Sequence, residues 1–338
     1  MGANVSDLAQ VEAQIGVVAI GRNEGDRLRR CLDSVVTRAD AVVYVDSGSS
    51  DDSVAMAKSK GVDVVELDLN QPFTAARARN AGLERLVANK PNLEYVQFVD
   101  GDCEVVSTWL DAAARELNTQ PKLAVVCGRR RERYPTNSVY NQLCDIEWDT
   151  PVGVAKSCGG DAMMRIDALQ EAGGYNDTLI AGEEPELCVR LRAAGWEIRR
   201  IDEEMTLHDA AMNRFSQWWN RTVRAGYAYA QGCAMHGKPP EQHFARETRS
   251  GMFWGCVVPV LAVLLAWPTR GLSLLLLAGY FVLLLKIYRA MRPRIGDAKN
   301  AFTYSFFVVL AKLPEVVGQL KYRWSAISGQ QRKLIEYK

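Results

Sequence analysis

The stretch "FVDGDCEV" (Phe98–Val105) decides how the first half of this chain is read. An apolar run breaks into two carboxylates, Asp100 and Asp102, with Gly101 between them. In extended backbone, residues two apart point to the same side, so a strand end here would present both acids to one spot. Hard divalent cations such as Mg2+ or Mn2+ take such oxygen ligands and keep positions open for phosphates. Asp-Gly alone also marks an ordinary solvated turn. The apolar lead-in is what favours a site.

The same pattern recurs upstream. "IGVVAI" (Ile15–Ile20), "AVVYVD" (Ala41–Asp46), "VDVVEL" (Val62–Leu67) and "YVQFVD" (Tyr95–Asp100) are short and mostly apolar, with helical patterns between them. Such runs fit strands covered on both faces. The alternation predicts a mostly parallel α/β sheet flanked by helices, with functional groups at the carboxyl ends of the strands. Asp46 and Asp100 both end strands, so both would reach one sheet edge. No GxGxxG follows the first strand and no GxxxxGK[ST] occurs, which argues against a dehydrogenase and a P-loop NTPase.

Downstream, "GGDAMMRIDALQEAGGY" (Gly159–Tyr175) carries paired glycines, which let backbone approach a ligand closely. Gly160 and Asp161 lie in the first pair's turn. In "AGEEPELCVRLRAAGW" (Ala181–Trp196), Pro185 suits the first turn of a helix, so Glu183 and Glu184 sit at its positive end. Charge–dipole stabilisation alone would account for them. His208, one of three histidines, follows a strand-like stretch (Glu197–Ile201) and a polar turn. A lone histidine is usually structural; beside a carboxylate pair it becomes a candidate metal ligand.

The 338 residues carry a net charge of +1, which gives no steering field and nothing that suggests nucleic acid as the main partner. The eight cysteines form no CxxC pair and read as reduced thiols of a cytosolic domain. The N-terminal segment is polar, with no apolar core of a signal peptide. Composition changes near Ser250. "GMFWGCVVPVLAVLLAW" (Gly251–Trp267) and "GLSLLLLAGYFVLLL" (Gly271–Leu285) are apolar runs just short of the roughly 20 residues that cross a bilayer. They show no amphipathic face, which disfavours a buried hairpin in a soluble protein. Arg246 and Arg249 before the pair, and Lys286, Arg289, Arg292 and Arg294 after it, predict that both flanks face the cytoplasm. "AFTYSFFVVLAKLPEVV" (Ala301–Val317) contains Lys312, Pro314 and Glu315 and reads as an interfacial helix. The expected organisation is an N-terminal tail (1–14), a catalytic domain (15–235), a linker (236–250), a membrane hairpin (251–288) and an interfacial helical tail (289–338).

Asn23-Glu24 after the first strand, "VDSGSSDDS", "ARARNAG", DGD, the Gly-Gly segment, "GEEPEL" with "RLRAAGW", and then His208 follow one another in an order that resembles family 2 glycosyltransferases of GT-A fold. The resemblance spans roughly residues 14–232. It implies that Asp46 binds the nucleobase and that Asn23 and Glu24 belong to the first nucleotide-binding loop. Arg79, with its neighbour Arg77, would border the nucleotide. Asp100 and Asp102 match the DxD motif, with Asp102 the more direct ligand of Mn2+ or Mg2+ and His208 a further one. Glu184 matches the position of the catalytic base, a Glu where the family usually has Asp, which leaves Glu183 or Glu184 as the base. "RFSQWWNR" (Arg214–Arg221) replaces the QxxRW of polymerising members, so single transfers are expected.

The resemblance and the apolar runs together imply a hexosyltransferase at the cytoplasmic face of the inner membrane, acting in surface polysaccharide or glycolipid synthesis. Its donor would be a nucleotide sugar. Its acceptor would be a lipid-linked saccharide or, in the manner of dolichol-phosphate-mannose synthases, polyprenyl phosphate. A catalytically silent membrane scaffold is the reading from another class, and the intact DGD, GEE and His208 set speaks against it. Trp148, Trp218 and Trp219 are candidates to cover the acceptor, or equally to pack in the core.

Overall fold

The computed structural model describes residues 14–329. The polar segment before Gln14 and the end of the expected helical tail lie outside the described residues. Strands β1 (Ile15–Gly21), β2 (Ala41–Asp46), β3 (Asp63–Glu66) and β4 (Tyr95–Asp100) pair parallel in the order β3-β2-β1-β4. Helices Asp26–Val35, Ser53–Ser59 and Ala75–Asn89 make the crossovers that parallel pairing requires. Val17, Val18, Ala19, Val45, Phe98 and Val99 are all buried, as their unbroken apolar runs predict. A Cβ added to Gly82 would lie 2.4 Å from Val18 Cγ1, so this glycine lets helix Ala75–Asn89 press onto β1. That close approach seats Arg79, one turn earlier, at the sheet edge.

The second half of the sheet mixes directions. Strands β5 (Cys103–Val105), β6 (Leu123–Glu132), β7 (Gly153–Val154), β8 (Ala162–Arg165) and β9 (Glu197–His208) extend it. β8 lies antiparallel between β4 and β6, while β9 runs parallel to β6 and antiparallel to β5. Antiparallel pairing needs no crossover helix, so these strands lack the spacing that betrays the first four.

β9 corrects the sequence reading. The expected polar turn after Ile201 is strand as far as His208. Irregular register against β6, between Cys127 and Arg129 and again between Arg129 and Arg130, accommodates the acids and re-aims the strand. Its end delivers His208 opposite Cys103 of β5, beside the DGD turn.

The C-terminal helices are docked on this domain. Gly226 of helix Phe215–His236 and Gly318 of helix Lys312–Ser328 meet at backbone contact: a Cβ on Gly226 would lie 2.1 Å from the Glu315 carbonyl oxygen, and one on Gly318 2.0 Å from that of Val223. Tyr227 and Ser325 share a 3.0 Å hydrogen bond across the same seam. Leu272–Ile295 and Ala298–Ser328 are long and apolar enough to cross a membrane. The stretch Ala301–Val317, expected to be interfacial, covers most of helix Ala298–Leu310 and the start of helix Lys312–Ser328, with Pro314 in the first turn of the latter, where proline is tolerated. The run Gly251–Trp267 continues helix Ala245–Met252. A π-turn (Phe253–Val257) and a short helix (Val258–Leu264) share it. Trp267, Leu272, Leu275, Phe281 and Val282 all point outward, and Trp267 is 93% exposed. An exposed apolar face of this extent marks an interaction surface.

Candidate active site

The two acids of the DGD turn part company. Asp100 ends β4 and Asp46 ends β2, with β1 between them: Ile20 pairs with Asp100 and Gly21 with Asp46. Its carboxylate meets two arginines, Arg79 Nη2 at 2.9 Å and Arg130 Nη2 at 3.3 Å. Asp102, past the turn, instead faces His208, with Nε2 3.3 Å from its Oδ2. The strand-like geometry expected to aim both acids at one spot fails because the chain turns at Gly101 and Asp102 before β5 begins.

Around Asp100 lies a buried charge cluster. Arg79 Nη1 donates to Glu183 at 2.7 Å. Arg130 reaches fully buried Asp161 at 2.7 Å, and Asp161 also accepts from the Asp100 amide and the Thr206 hydroxyl. Burial works against both guanidinium charges. Asp100 and Glu183 around Arg79, and Asp161 and Asp100 around Arg130, outweigh it and hold each pKa above its ordinary value. Gly160 covers the cluster, and a Cβ there would lie 2.8 Å from Arg79 Nη2. The expected close backbone approach at the Gly-Gly segment thus falls on Arg79.

On the other side, His208 is held from behind. Its Nδ1 lies 3.5 Å from Glu132 Oε2, at the end of β6. Glu132 is anchored in turn by the Tyr134 and Ala210 amides and the Asn141 side chain. Trp148 packs edge-on against the His208 ring at 4.7 Å and under the Arg130 guanidinium at 5.3 Å. Sequence reading missed Arg130 and Glu132. The signal available was their position, in a strongly charged run "RRRERY" (Arg129–Tyr134) that follows an apolar strand start.

Asp102, Cys103 and His208 offer ligand atoms within 4.8 Å of one another. A carboxylate and an imidazole whose second nitrogen faces another carboxylate form a donor set suited to a divalent cation. Charge points the same way. Two guanidinium groups stand against five carboxylates: Asp100, Asp161 and Glu183 on one side, Asp102 and Glu132 on the other. A diphosphate could enter such a site only with a cation to offset it.

The remaining candidates are placed as follows. Asp46 is turned into its own loop, accepting from Tyr44 Oη and from the Gly48 and Ser49 amides. Asn23 locks the two loops, accepting from the Ser50 amide while its own amide donates to Ser49 Oγ. Glu24 pairs with Arg27 at 2.8 Å. A cavity of about 280 Å3 opens beside them, lined by Arg22, Ser47, Gly48, Leu69, Phe73 and Arg77 among others. Arg77 ties its rim through the Asp68 and Gln71 carbonyls, so it stands apart from the Arg79 cluster. The hydroxyl of Ser47 is buried and lacks a partner among the described residues. Glu184 is buried and faces away from Arg79; its Oε1 accepts from the Cys158 amide at 2.6 Å and from the Cys158 and Cys188 thiols, both at 2.9 Å. Trp218 is core, packed on Phe307 at 5.0 Å, and Trp219 joins the edge of the same cluster. Trp148 alone of the three touches the site.

A parallel sheet half with a nucleoside-sized cavity at its strand ends, followed by an acidic turn and a histidine-bearing strand, defines the GT-A class. Residues 17–168, a little under half of the chain, match the family described as glycosyl transferase family 2, so this stretch is a domain of that family. Among curated relatives, a pre-mycofactocin glycosyltransferase of Mycobacterium tuberculosis is 27% identical over 213 residues, 58% of this chain and 42% of that protein. A TPR repeat-containing protein of Synechococcus elongatus is 36% identical over 137 residues, 40% of this chain and 32% of that protein. The matches thus span less than half the length of these relatives. Among solved structures, the mannosyltransferase PcManGT from Pyrobaculum calidifontis, in complex with GDP-Man and Mn2+, superposes with a TM-score of 0.60 over 92% of this chain and 87% of its own. At 18% identity that likeness is one of fold.

Proposed function

We propose that this protein is a membrane-associated inverting glycosyltransferase. It moves a sugar from a nucleoside-diphosphate sugar, UDP-linked donors being the first to test, to a lipid-linked acceptor used in surface polysaccharide or glycolipid synthesis. The observation that carries the reading is the adjacency of two unlike half-sites: the arginine pair on Asp100, and the Asp102–His208–Glu132 set one turn away. The Mn2+ and GDP-Man bound by PcManGT support a metal and a nucleotide sugar for this fold.

The nucleoside would occupy the cavity beside Ser47 and Arg77. Arg79 and Arg130, kept charged by their carboxylate partners, would face the diphosphate across Gly160. Asp102 and His208 would hold the divalent ion, which supplies positive charge to the leaving diphosphate. An acceptor hydroxyl needs a carboxylate base on the face opposite the leaving group, and attack from that side inverts the anomeric carbon. Glu184 is that base by its place in the motif. Glu183 is its rival, but the Arg79 ion pair already engages its carboxylate. The exposed apolar helices support an acceptor presented at a bilayer, with the catalytic domain on the cytoplasmic side and Trp148 beside the incoming headgroup.

The test is a panel of nucleotide sugars with Mn2+ or Mg2+, read as binding, hydrolysis and transfer. Metal-dependent turnover of at least one donor is expected, and no binding of any donor would sink the reading. Offering bare polyprenyl phosphate against a lipid-linked saccharide then separates the two acceptor classes.

A further inference from the structure

A second group of ligand atoms lies outside the metal set described above. Cys158 precedes the Gly159–Gly160 turn, and Cys188 lies one helical turn after Glu184 in helix Glu183–Ala193. Their sulfurs are 3.9 Å apart, and each is 2.9 Å from the same oxygen, Glu184 Oε1. One carboxylate oxygen therefore receives two thiols and the Cys158 amide, and the three side chains converge on a single point. Cys188 is buried, whereas Cys158 is only partly so.

The spacing discriminates between two chemistries. A disulfide needs its sulfurs about 2.05 Å apart, so these two would have to close by nearly half their separation. Two thiolates bound tetrahedrally to one zinc at about 2.3 Å stand about 3.8 Å apart, close to the distance found. A carboxylate oxygen is a standard third ligand for that ion.

We propose that Cys158, Glu184 and Cys188 form a binding site for a thiophilic divalent cation of the Zn2+ class, distinct from the Asp102–His208 set. Two thiol protons leave to solvent as two sulfur–metal bonds form, and Glu184 turns from hydrogen-bond acceptor to ligand. Occupancy fixes the 158–160 loop to helix Glu183–Ala193. Where Glu184 is the base, as in the function proposed above, it also takes that carboxylate out of service, so the site inhibits transfer.

The test is a Co2+ titration of the full chain in detergent, because thiolate ligands give cobalt a near-ultraviolet charge-transfer absorption that oxygen and imidazole ligands do not. One such site per chain is expected, displaced by Zn2+. Cys158→Ser, at the more accessible position, should weaken Zn2+ by more than about a hundredfold, beyond the roughly ten- to hundredfold carried by an outer-shell partner. Cys188→Ser should abolish the band, with circular dichroism to verify folding. The proposal is overturned if wild type shows no band, or if folded Cys158→Ser keeps the band at wild-type metal affinity. Neither result touches the nucleotide-sugar reading, which is scored separately by Mn2+-dependent donor turnover; loss of that turnover would leave the cobalt band in place.

Discussion

Asp100 and Asp102 are two residues apart and inhabit different chemistries. Asp100 lies among guanidinium groups and acts as the shared counter-ion of Arg79 and Arg130. Asp102 is buried against an imidazole that is itself braced by Glu132. The difference teaches that a motif of two acids need not be one ligand pair. Here it is a hinge between a half-site whose carboxylates hold two arginines charged and a half-site that groups a carboxylate with an imidazole.

The contrast can be broken by substitution. Asp102→Ala should have the largest effect, lowering donor turnover on the order of 10²–10³-fold, the scale of losing one preorganised charge-stabilising contact, together with Mn2+ affinity. Asp100→Asn should spare Mn2+ binding, read by electron paramagnetic resonance, while weakening the donor. Equal loss of Mn2+ in both variants would erase the distinction between the half-sites. Glu132→Gln should weaken Mn2+ by about 10–100-fold and leave nucleotide affinity in the absence of metal unchanged. A smaller effect is expected on the arginine side from Gly160→Ala. Its new Cβ must displace Arg79 Nη2, found 2.8 Å from that position, at about 1–3 kcal/mol by the usual cost of overpacking. That cost would appear as weaker donor binding at unchanged Mn2+ affinity.

A second contrast sets the sealed sheet core against the C-terminal helices, whose apolar residues face outward. Trp267→Lys combined with Leu275→Lys should reduce co-sedimentation with anionic vesicles and leave donor hydrolysis intact. Unchanged sedimentation would remove this face from the membrane reading. The smallest effect concerns the linker between the two regions. Burial, then His236 and Arg192, lowers His243 from 6.5 to about 4. The unfolded chain therefore binds a proton that the folded one refuses between those values. Folding stability should fall as pH drops from about 6.5 to about 4, and His243→Gln should flatten that part of a melting-temperature profile.

Much of this was legible in the sequence. The runs Ile15–Ile20, Ala41–Asp46 and Tyr95–Asp100 are continuous and apolar because both faces of a parallel sheet are covered, and they sit where the residues indicate. The order of short motifs pointed to the family that residues 17–168 match. The antiparallel strands were less legible. β8 has only four residues, and β9 carries three consecutive acids that read as a turn.

By itself, then, the sequence determined the parallel half-sheet, the inventory of acids at its edge and the apolar C-terminal runs, because each is written in local periodicity and residue type. Only the tertiary structure decided how those acids are shared out. It turned the chain at Gly101, brought Arg130 and Glu132 to opposite sides of that turn, and placed Glu184 among thiols while Glu183 met Arg79. It also docked helix Lys312–Ser328 against Gly226. These are contacts between residues far apart in the chain, set by strand register and by where a missing side chain lets backbones meet. No local pattern encodes either.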